Sequence, residues 1–595
     1  MRRNLTPSLR LGSYALACVL AGLLALLPAE AGAQRPGNGE IAFSAKRGGT
    51  RVIYARRADG SRLHLVHTGG RSDQPAFSPG GKRLLFTRYG SGGAQVWTTY
   101  FDGTGLRLLT TGASDGMAEW SPSGEEAVFA RGGRGRRHLY TILADGTGET
   151  QLTFGGDDSW PTWSVRDRIA FVRTRGRASR IYSITPSGGS ARRLTRGKAN
   201  DTYPDWSPTG RTLAVARGSP GHRDLYVLRA DGSHARRLTG LPGDESSPAW
   251  SPDGTRIVFT YQVGRRRWLY VMKVRGGALR QVRSRSARVR RLSSSRSAAS
   301  QPTWQPTGLD PVVAAAGDIA CDPQSPYFNG GLGIPGVCRQ KLTSDLLLRF
   351  DLSDILALGD DQYEDGQLWK FQRSFDPTWG RLKPLIRSVP GNHEYDDGAG
   401  NAAGYFDYFN GAGTQSGPVG ARNQGYYSFD VGSWHVVALN SECRHIGGCG
   451  ASSPQITWLR TDLAAHPAAC TLAFWHRPTF TSGGHSDHGD MRPAWAALYS
   501  AGADVILNGH DHLYERFAPQ TPGGVFDPAH GIREFIAGIG GRSRFGFPQI
   551  QPNSQVRISG VFGVLELTLG RGSYEWRVRA APTGRIADSG SDSCR

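Results

Sequence analysis

Between residues 70 and 310 short apolar runs alternate with polar ones on a fixed beat. FSPGGKRLLF begins at Phe77, WSPSGEEAVF at Trp120, WSVRDRIAF at Trp163, WSPTGRTLAV at Trp206 and WSPDGTRIVF at Trp250, with steps of 43, 43, 43 and 44 residues. A period of this size marks propeller blades. In each unit a turn such as SPDG leads into an apolar or β-branched strand, a second strand such as LYVLRADG follows, and a short strand ends near Leu-Thr. With the Trp-bearing strand this makes about four strands per blade. The two ends of the array are complementary: Ile41-Ala42-Phe43 opens a unit with no Trp-Ser-Pro strand before it, and Trp304 stands in PTWQPTG with no unit after it. Pairing the last strand with the first unit gives a six-bladed β-propeller without exposed sheet edges. One tryptophan per blade at a fixed phase is what packing between blades demands, whereas a sugar-stacking platform does not require that phase. The Arg/Ser-rich stretch from Gln281 to Ser300 lengthens the last step to 54 residues and reads as a mobile insertion in the final blade.

From Pro311 onward the pattern changes. VVAAAGD, DILALGD, IRSVPGN, TLAFWH and VILNGHDH are apolar runs that each end in a polar cluster, with helix-like segments between several of them. Strands alternating with helices predict an α/β sandwich, two β-sheets flanked by helices. The polar clusters at the ends of successive strands then meet at one edge of the sheets.

The head of the chain reads differently again. A basic MRRNLTPSLR, an apolar run from Tyr14 to Leu27 and the small residues Ala31-Gly32-Ala33 together predict a secretory signal peptide over residues 1–33. The run is short of the ~20 residues a membrane span needs, Ala15-Leu16-Ala17 before Cys18 is a poor lipobox, and no later segment is long and apolar enough to span. The expected organisation is therefore signal peptide 1–33, propeller 34–308 and α/β domain 309–595, in a protein that is secreted or held in the cell envelope. The six cysteines beyond the signal are Cys321, Cys338, Cys443, Cys449, Cys470 and Cys594. An even number in an exported chain favours disulfides. Of the fifteen possible pairings we expect 321 with 338, 443 with 449, and 470 with 594.

Charge separates the halves. Residues 34–310 hold 45 Lys and Arg against 21 Asp and Glu, a net +24, whereas residues 311–595 hold 23 against 28, a net −5. The basic half reads either as a solvated, arginine-rich surface or as a surface for an anionic cell-envelope polymer or a protein. No basic motif interleaved with aromatics in the manner of a nucleic-acid recognition fold occurs, which argues against nucleic acid.

The strand-end clusters carry Asp318, Asp360, Asn392, His476, His510 and His512. Carboxylates, an amide and imidazoles are donors that hard and borderline metals prefer, and no thiol is among them. A lone buried histidine is usually a satisfied core residue; five such blocks in order, each ending a predicted strand, call for chemistry instead. The ordered set GDIA, GDDQY, GNHE, FWH and GHDH resembles the calcineurin-like metallophosphoesterase superfamily over about residues 311–570. Within it the chain is most similar to the purple acid phosphatases, through Tyr363 in GDDQY, a first block whose Ala320 leaves it without a histidine, and the segments GYYSFDVGSWHVVALNS and GHDHLYER. Ala320 and Ala473 depart from the usual glycine and valine, but neither is a ligand position. The repeated half resembles the propeller of the Tol-translocation system.

This resemblance implies a two-metal site. Asp318, Asp360, Tyr363 and His512 would hold one metal and Asp360, Asn392, His476 and His510 the other, with Asp360 bridging; iron with a Zn, Mn or Fe divalent partner is the expected pair. Two cations ~3.5–4 Å apart clamp a phosphate and activate a hydroxide for in-line attack. His393 would point to the substrate as proton donor or phosphate contact, and His485 or His488, in TSGGHSDHGD, could reach the leaving group, with His485 favoured. The expectation is an exported phosphomonoesterase acting on a phosphate-ester substrate. The alternatives are a phosphodiesterase with the same site, or an envelope-binding propeller protein with a vestigial hydrolase domain.

Overall fold

The computed structural model describes residues 36–66, 68–274, 289–291, 299–485 and 489–595. The expected signal peptide, most of the Arg/Ser-rich stretch and His488 lie outside the described residues.

The N-terminal half is a ring of six four-stranded antiparallel sheets. The strand bearing the tryptophan, or Phe77 in one blade, starts each sheet, as in the order Asp157–Ser164, Arg168–Arg175, Ala178–Thr185, Gly188–Arg193. Ring closure is the predicted one: Ser300–Thr307 pairs antiparallel with Gly37–Arg47, bringing Trp304 opposite Ile41. Val289–Arg291 supplies the outer strand of the sixth sheet. The tryptophans pack between blades, as their phase requires: Trp120 and Trp304 are buried, and their indole N–H groups donate to the carbonyls of Ala76 (3.3 Å) and Ala249 (3.1 Å) in the preceding blade.

The first strands of five blades slip register at the same place, just after Asp73, Gly116, Ser159, Thr202 and Ser246. At that position Gln74, Met117, Trp160, Tyr203, Ser247 and Gln301 take φ of 49–58°, a bulge that turns the strand toward the ring axis. These six residues, with Glu119 and Asp205, line the central channel. Part of the arginine excess is used inside the ring. Arg131, Arg173 and Arg217 pair with Asp115 (2.7 Å), Asp158 (2.7 Å) and Asp201 (2.6 Å) of their own blades.

The C-terminal half is the expected sandwich. One sheet has six strands in the order Ile386–Ser388, Asp354–Ala357, Val312–Ala316, Gly563–Leu569, Ser573–Ala580, Arg585–Ser593, the first three parallel. The other has seven, with Tyr427–Val431 at one edge, followed by Trp434–Ala438, Cys470–Phe474, Val505–Asn508, Arg533–Ala537, Tyr514–Phe517 and Ser554–Ile558. Alternate strand residues such as Val313, Leu356, Val436, Leu472 and Phe535 fill the space between the sheets. The opposite faces are covered by helices: Gln340–Leu347 and Ala403–Asn410 on the first sheet, Pro454–Ala465 and Arg492–Ser500 on the second. The three expected disulfides are formed, Cys321–Cys338, Cys443–Cys449 and Cys470–Cys594. Buried arginines join the halves, with Arg83 donating to the carbonyl of Leu348 (2.9 Å) and Arg349 pairing with Asp145 (2.6 Å). No helix among the described residues is long and apolar enough to cross a membrane.

Candidate metal centre

Each strand-end residue singled out in the sequence stands just past the C-terminal end of a strand. Asp318 follows Val312–Ala316, Asp360 follows Asp354–Ala357, Asn392 follows Ile386–Ser388, His476 follows Cys470–Phe474, and His510 and His512 follow Val505–Asn508. The first three strands run parallel in one sheet and the last two parallel in the other. All six side chains therefore arrive at one edge of the sandwich.

They gather in two groups that share Asp360. In the first, the Tyr363 hydroxyl donates to Asp318 Oδ1 (2.8 Å), lies 3.0 Å from Asp360 Oδ2 and 3.1 Å from His512 Nε2. In the second, His476 Nε2 is 3.2 Å from Asp360 Oδ2, 3.2 Å from Asn392 Oδ1 and 3.1 Å from His510 Nδ1. Asp318, Asp360, Tyr363, His476, His510 and His512 are all buried. Asp318 Oδ2 is buried without a hydrogen-bond partner among the described residues. A carboxylate oxygen buried without a partner is costly in an interior, and carboxylates, imidazoles and an amide crowded within hydrogen-bond distance are donors a cation accepts, so this donor set fits cations in both groups.

The charges show what a cation meets. Burial works to raise the Asp360 pKa, but His476 and His393 hold its carboxyl well below the usual range. Burial also opposes a charged His476, yet Asp360 and Asp318 push its pKa up to about 10. Burial and the neighbouring His476 drive His510 well down. The Tyr363 phenol is pushed well up by burial and by Asp318 and Asp360. Without a cation the shell thus balances its charge with protons, which a metal has to displace.

The backbone is bent to hold this arrangement. Asp318 (φ 60°), Asp360 (φ 50°) and His510 (φ 68°) occupy the left-handed region, where non-glycine residues store strain. Glycines before two of the donors answer close approach: a Cβ on Gly391, before Asn392, would lie 2.2 Å from Asp360 Oδ1, and one on Gly359, before Asp360, 2.7 Å from His476 Nδ1.

Several supporting residues escaped the sequence reading. The buried Glu394 carboxylate accepts the backbone N–H groups of Gly391 (2.7 Å), Asp360 (3.0 Å) and Gln362 (3.1 Å), tying together the two loops that carry Asp360 and Asn392. Its place in GNHE was the available signal. His476 Nδ1 meets the carbonyl of Leu358 at 2.9 Å and His512 Nδ1 meets Ser543 Oγ at 2.5 Å, contacts that leave the Nε2 atoms facing inward. Arg542 lies over the Tyr363 ring at 5.1 Å. No spacing in the sequence announces these partners.

The two expected substrate-side histidines flank the groups. His393 is partly exposed, its Nδ1 donates to the carbonyl of Glu364 (2.5 Å), and its Nε2 lies 3.9 Å from Asp360 Oδ2. The His485 ring sits 4.3 Å from that of His510, and its Nδ1 is 3.1 Å from Asp511 Oδ1. The bond to Asp511 pushes the His485 pKa up. Asp511, which also accepts from Thr481 Oγ1 at 2.5 Å, is a further partner the sequence reading missed.

Residues 31–167 and 161–309 match the family model of the TolB beta propeller domain, and residues 343–514 match that of the calcineurin-like phosphoesterases. Purple acid phosphatase 15 of Arabidopsis thaliana is 33% identical over 150 residues, 23% of this chain and 27% of that protein. Purple acid phosphatase 21 of the same plant is 31% identical over 193 residues, 30% of this chain and 41% of that protein. The chain thus spans less than half the length of these curated relatives. The solved structure of the purple acid phosphatase PPD1 from yellow lupin (Lupinus luteus) seeds overlaps 86% of this chain and 93% of its own at 13% identity and a TM-score of 0.39. The chain joins a TolB-like β-propeller to a calcineurin-like phosphoesterase domain with purple acid phosphatase homologues.

Proposed function

We propose that this protein is an exported, metal-dependent phosphoesterase acting on phosphomonoesters. The observation that supports it most is the convergence of carboxylates, imidazoles, a phenol and an amide around Asp360 at one sheet edge. Asp318, Asp360, Tyr363 and His512 would hold one cation and Asp360, Asn392, His476 and His510 the other, iron with a zinc, manganese or iron divalent partner. When bound, such a pair supplies Lewis acidity to the phosphoryl oxygens and to an attacking water.

The chain's own groups do the rest. His393 keeps Nδ1 on the Glu364 carbonyl, so in its protonated form the proton it can give to a leaving oxygen is the one on Nε2. His485 stands at the rim beside His510, its pKa raised by the bond to Asp511. A monoester phosphate carries a second negative charge that a diester lacks, and this favours monoesters here. The three disulfides suit an oxidising compartment. None of the donor atoms named above comes from the propeller, whose arginine excess suits an anionic cell-envelope polymer or protein.

The test uses the purified, metal-replete full chain with p-nitrophenyl phosphate and bis-p-nitrophenyl phosphate. The monoester is expected to be turned over with kcat/KM on the order of tenfold higher or more. Faster diester hydrolysis would replace this reading with a phosphodiesterase. Hydrolysis of neither by folded, metal-bound protein would reduce the chain to a binding protein.

A further inference from the structure

A second cluster of metal-type side chains lies at the other end of the seven-stranded sheet. His435 sits near the start of Trp434–Ala438 and pairs in parallel register with Thr471, at the beginning of Cys470–Phe474, whereas His476 lies past the far end of that strand. A strand rises about 3.3 Å per residue, so the two places are separated by roughly the sheet's full depth.

The alternation of Trp434–Ala438 sends Trp434 and Val436 between the sheets and turns His435 toward the covering helix Pro454–Ala465. That helix presents Asp462 in its last turn, and His466 caps it one turn later. His435 Nε2 lies 2.9 Å from Asp462 Oδ2, and His466 Nδ1 lies 3.2 Å from Asp462 Oδ1 and 2.9 Å from the Asp462 carbonyl oxygen, a contact that a cation at Nδ1 displaces. One donor atom from each of His435, Asp462 and His466 falls within 4.8 Å of the others. His435 and Asp462 are buried; His466 is half exposed and leaves the cluster open to solvent on one side.

The hydrogen-bond geometry is the clue. A neutral imidazole has a single N–H, yet both nitrogens of His435 face carboxylate oxygens, Asp462 Oδ2 at 2.9 Å and Asp430 Oδ1 at 3.1 Å. Asp430 is the cross-strand neighbour of His435 on the edge strand Tyr427–Val431, and Ser428 of the same strand donates to Asp462 Oδ1 at 2.7 Å. With a cation at Nε2, the Nδ1–H of His435 donates to Asp430 and the Asp462 carboxylate turns to the metal. This is the usual carboxylate–histidine–metal order, in which an outer carboxylate orients the ligand ring.

We propose that His435, Asp462 and His466 form a structural zinc-class site, with Asp430 as the carboxylate that positions His435. Two imidazoles and one carboxylate suit zinc, with water completing a tetrahedral shell from the exposed side. The ion fastens the end of helix Pro454–Ala465 to the edge hairpin of the sheet. The site is independent of the catalytic reading, since it shares no residue with it.

The test is zinc content of the full-length protein equilibrated in buffered low-micromolar free zinc. Whatever the sheet-edge centre holds, His466→Ala and His435→Gln should each carry one zinc fewer per chain than the parent. Asp430→Asn, which keeps all three donors, should weaken zinc at this site by about 10- to 100-fold. If His435→Gln fails to fold, His466→Ala decides alone, because its ring is half exposed. Equal zinc content in the parent and His466→Ala would overturn the site and leave His435 as a side chain hydrogen-bonded between two aspartates.

Discussion

Asp360 is shared by both donor groups, and Tyr363 is the residue through which the proposed site would select among metals. In the cation-free protein the phenol donates to Asp318 Oδ1 at 2.8 Å, and its proton is held tightly by burial and the two carboxylates. A trivalent cation has to expel that proton, and the tyrosinate left behind is a hard anionic donor. Loading with ferric iron is therefore expected to release a proton and give a visible tyrosinate-to-iron absorption band, and Tyr363→Phe should remove the band while leaving the circular dichroism spectrum unchanged. An iron-loaded, active but colourless protein would reduce Tyr363 to a hydrogen-bonding neighbour of the site. The placement of these side chains was readable from the sequence because each polar residue ends an apolar run. Glu394 was not readable in the same way: its partners are the backbone N–H groups of Gly391, Asp360 and Gln362, and no side-chain pattern records a bond to backbone. Asp430, His435, Asp462 and His466 were missed for a related reason, since they come from a hairpin and a helix end 36 residues apart at the extremes and fall in no repeated block.

At the scale of elements the blades and the sandwich strands followed from periodicity, whereas the bulges that aim Gln74, Met117, Trp160, Tyr203, Ser247 and Gln301 at the channel did not. Their left-handed backbone falls on residues with no turn signature, imposed by curvature of the ring rather than by local preference. The cysteine pairing has an energetic order that can be measured. Cys470–Cys594 closes a separation of 124 residues and joins a central strand of one sheet to the end of the chain beside the other, while Cys443–Cys449 closes only 6. Chain entropy alone assigns about 5 kcal/mol to the first and about 2 kcal/mol to the second. Denaturant unfolding of the paired serine variants should show the larger loss for Cys470/Cys594. The reverse order would mean that strain or residual structure, not loop closure, governs these bonds.

Across the whole molecule the two halves are joined by buried arginines, and the propeller carries its own pH dependence. Glu119 and Asp205 line the channel and are only partly exposed; desolvation there and the nearby Asp205 push the Glu119 pKa up to about 8, and desolvation pushes Asp205 up to about 7. An acid whose folded pKa is raised favours the fold while protonated, so its contribution is present below pH ~4 and is lost as pH rises through 7 to 8. Thermal unfolding should therefore show a loss of about 1–3 kcal/mol between pH 5 and 9, and Glu119→Gln should flatten the profile; an unchanged profile would place both carboxylates in contact with solvent. The contacts of Arg83 with Leu348 and of Arg349 with Asp145 had no counterpart in the sequence reading, because an isolated arginine among many gives no hint of its partner. The central claim, that the sheet-edge shell around Asp360 performs phosphate-ester hydrolysis, is tested most directly by the turnover of p-nitrophenyl phosphate by metal-supplied full-length Asp360→Ala beside the parent, both shown to be folded by circular dichroism. A fall in kcat of about 1,000-fold or more is expected, because one side chain is removed from both donor groups at once; a variant that keeps the parental rate would contradict the claim.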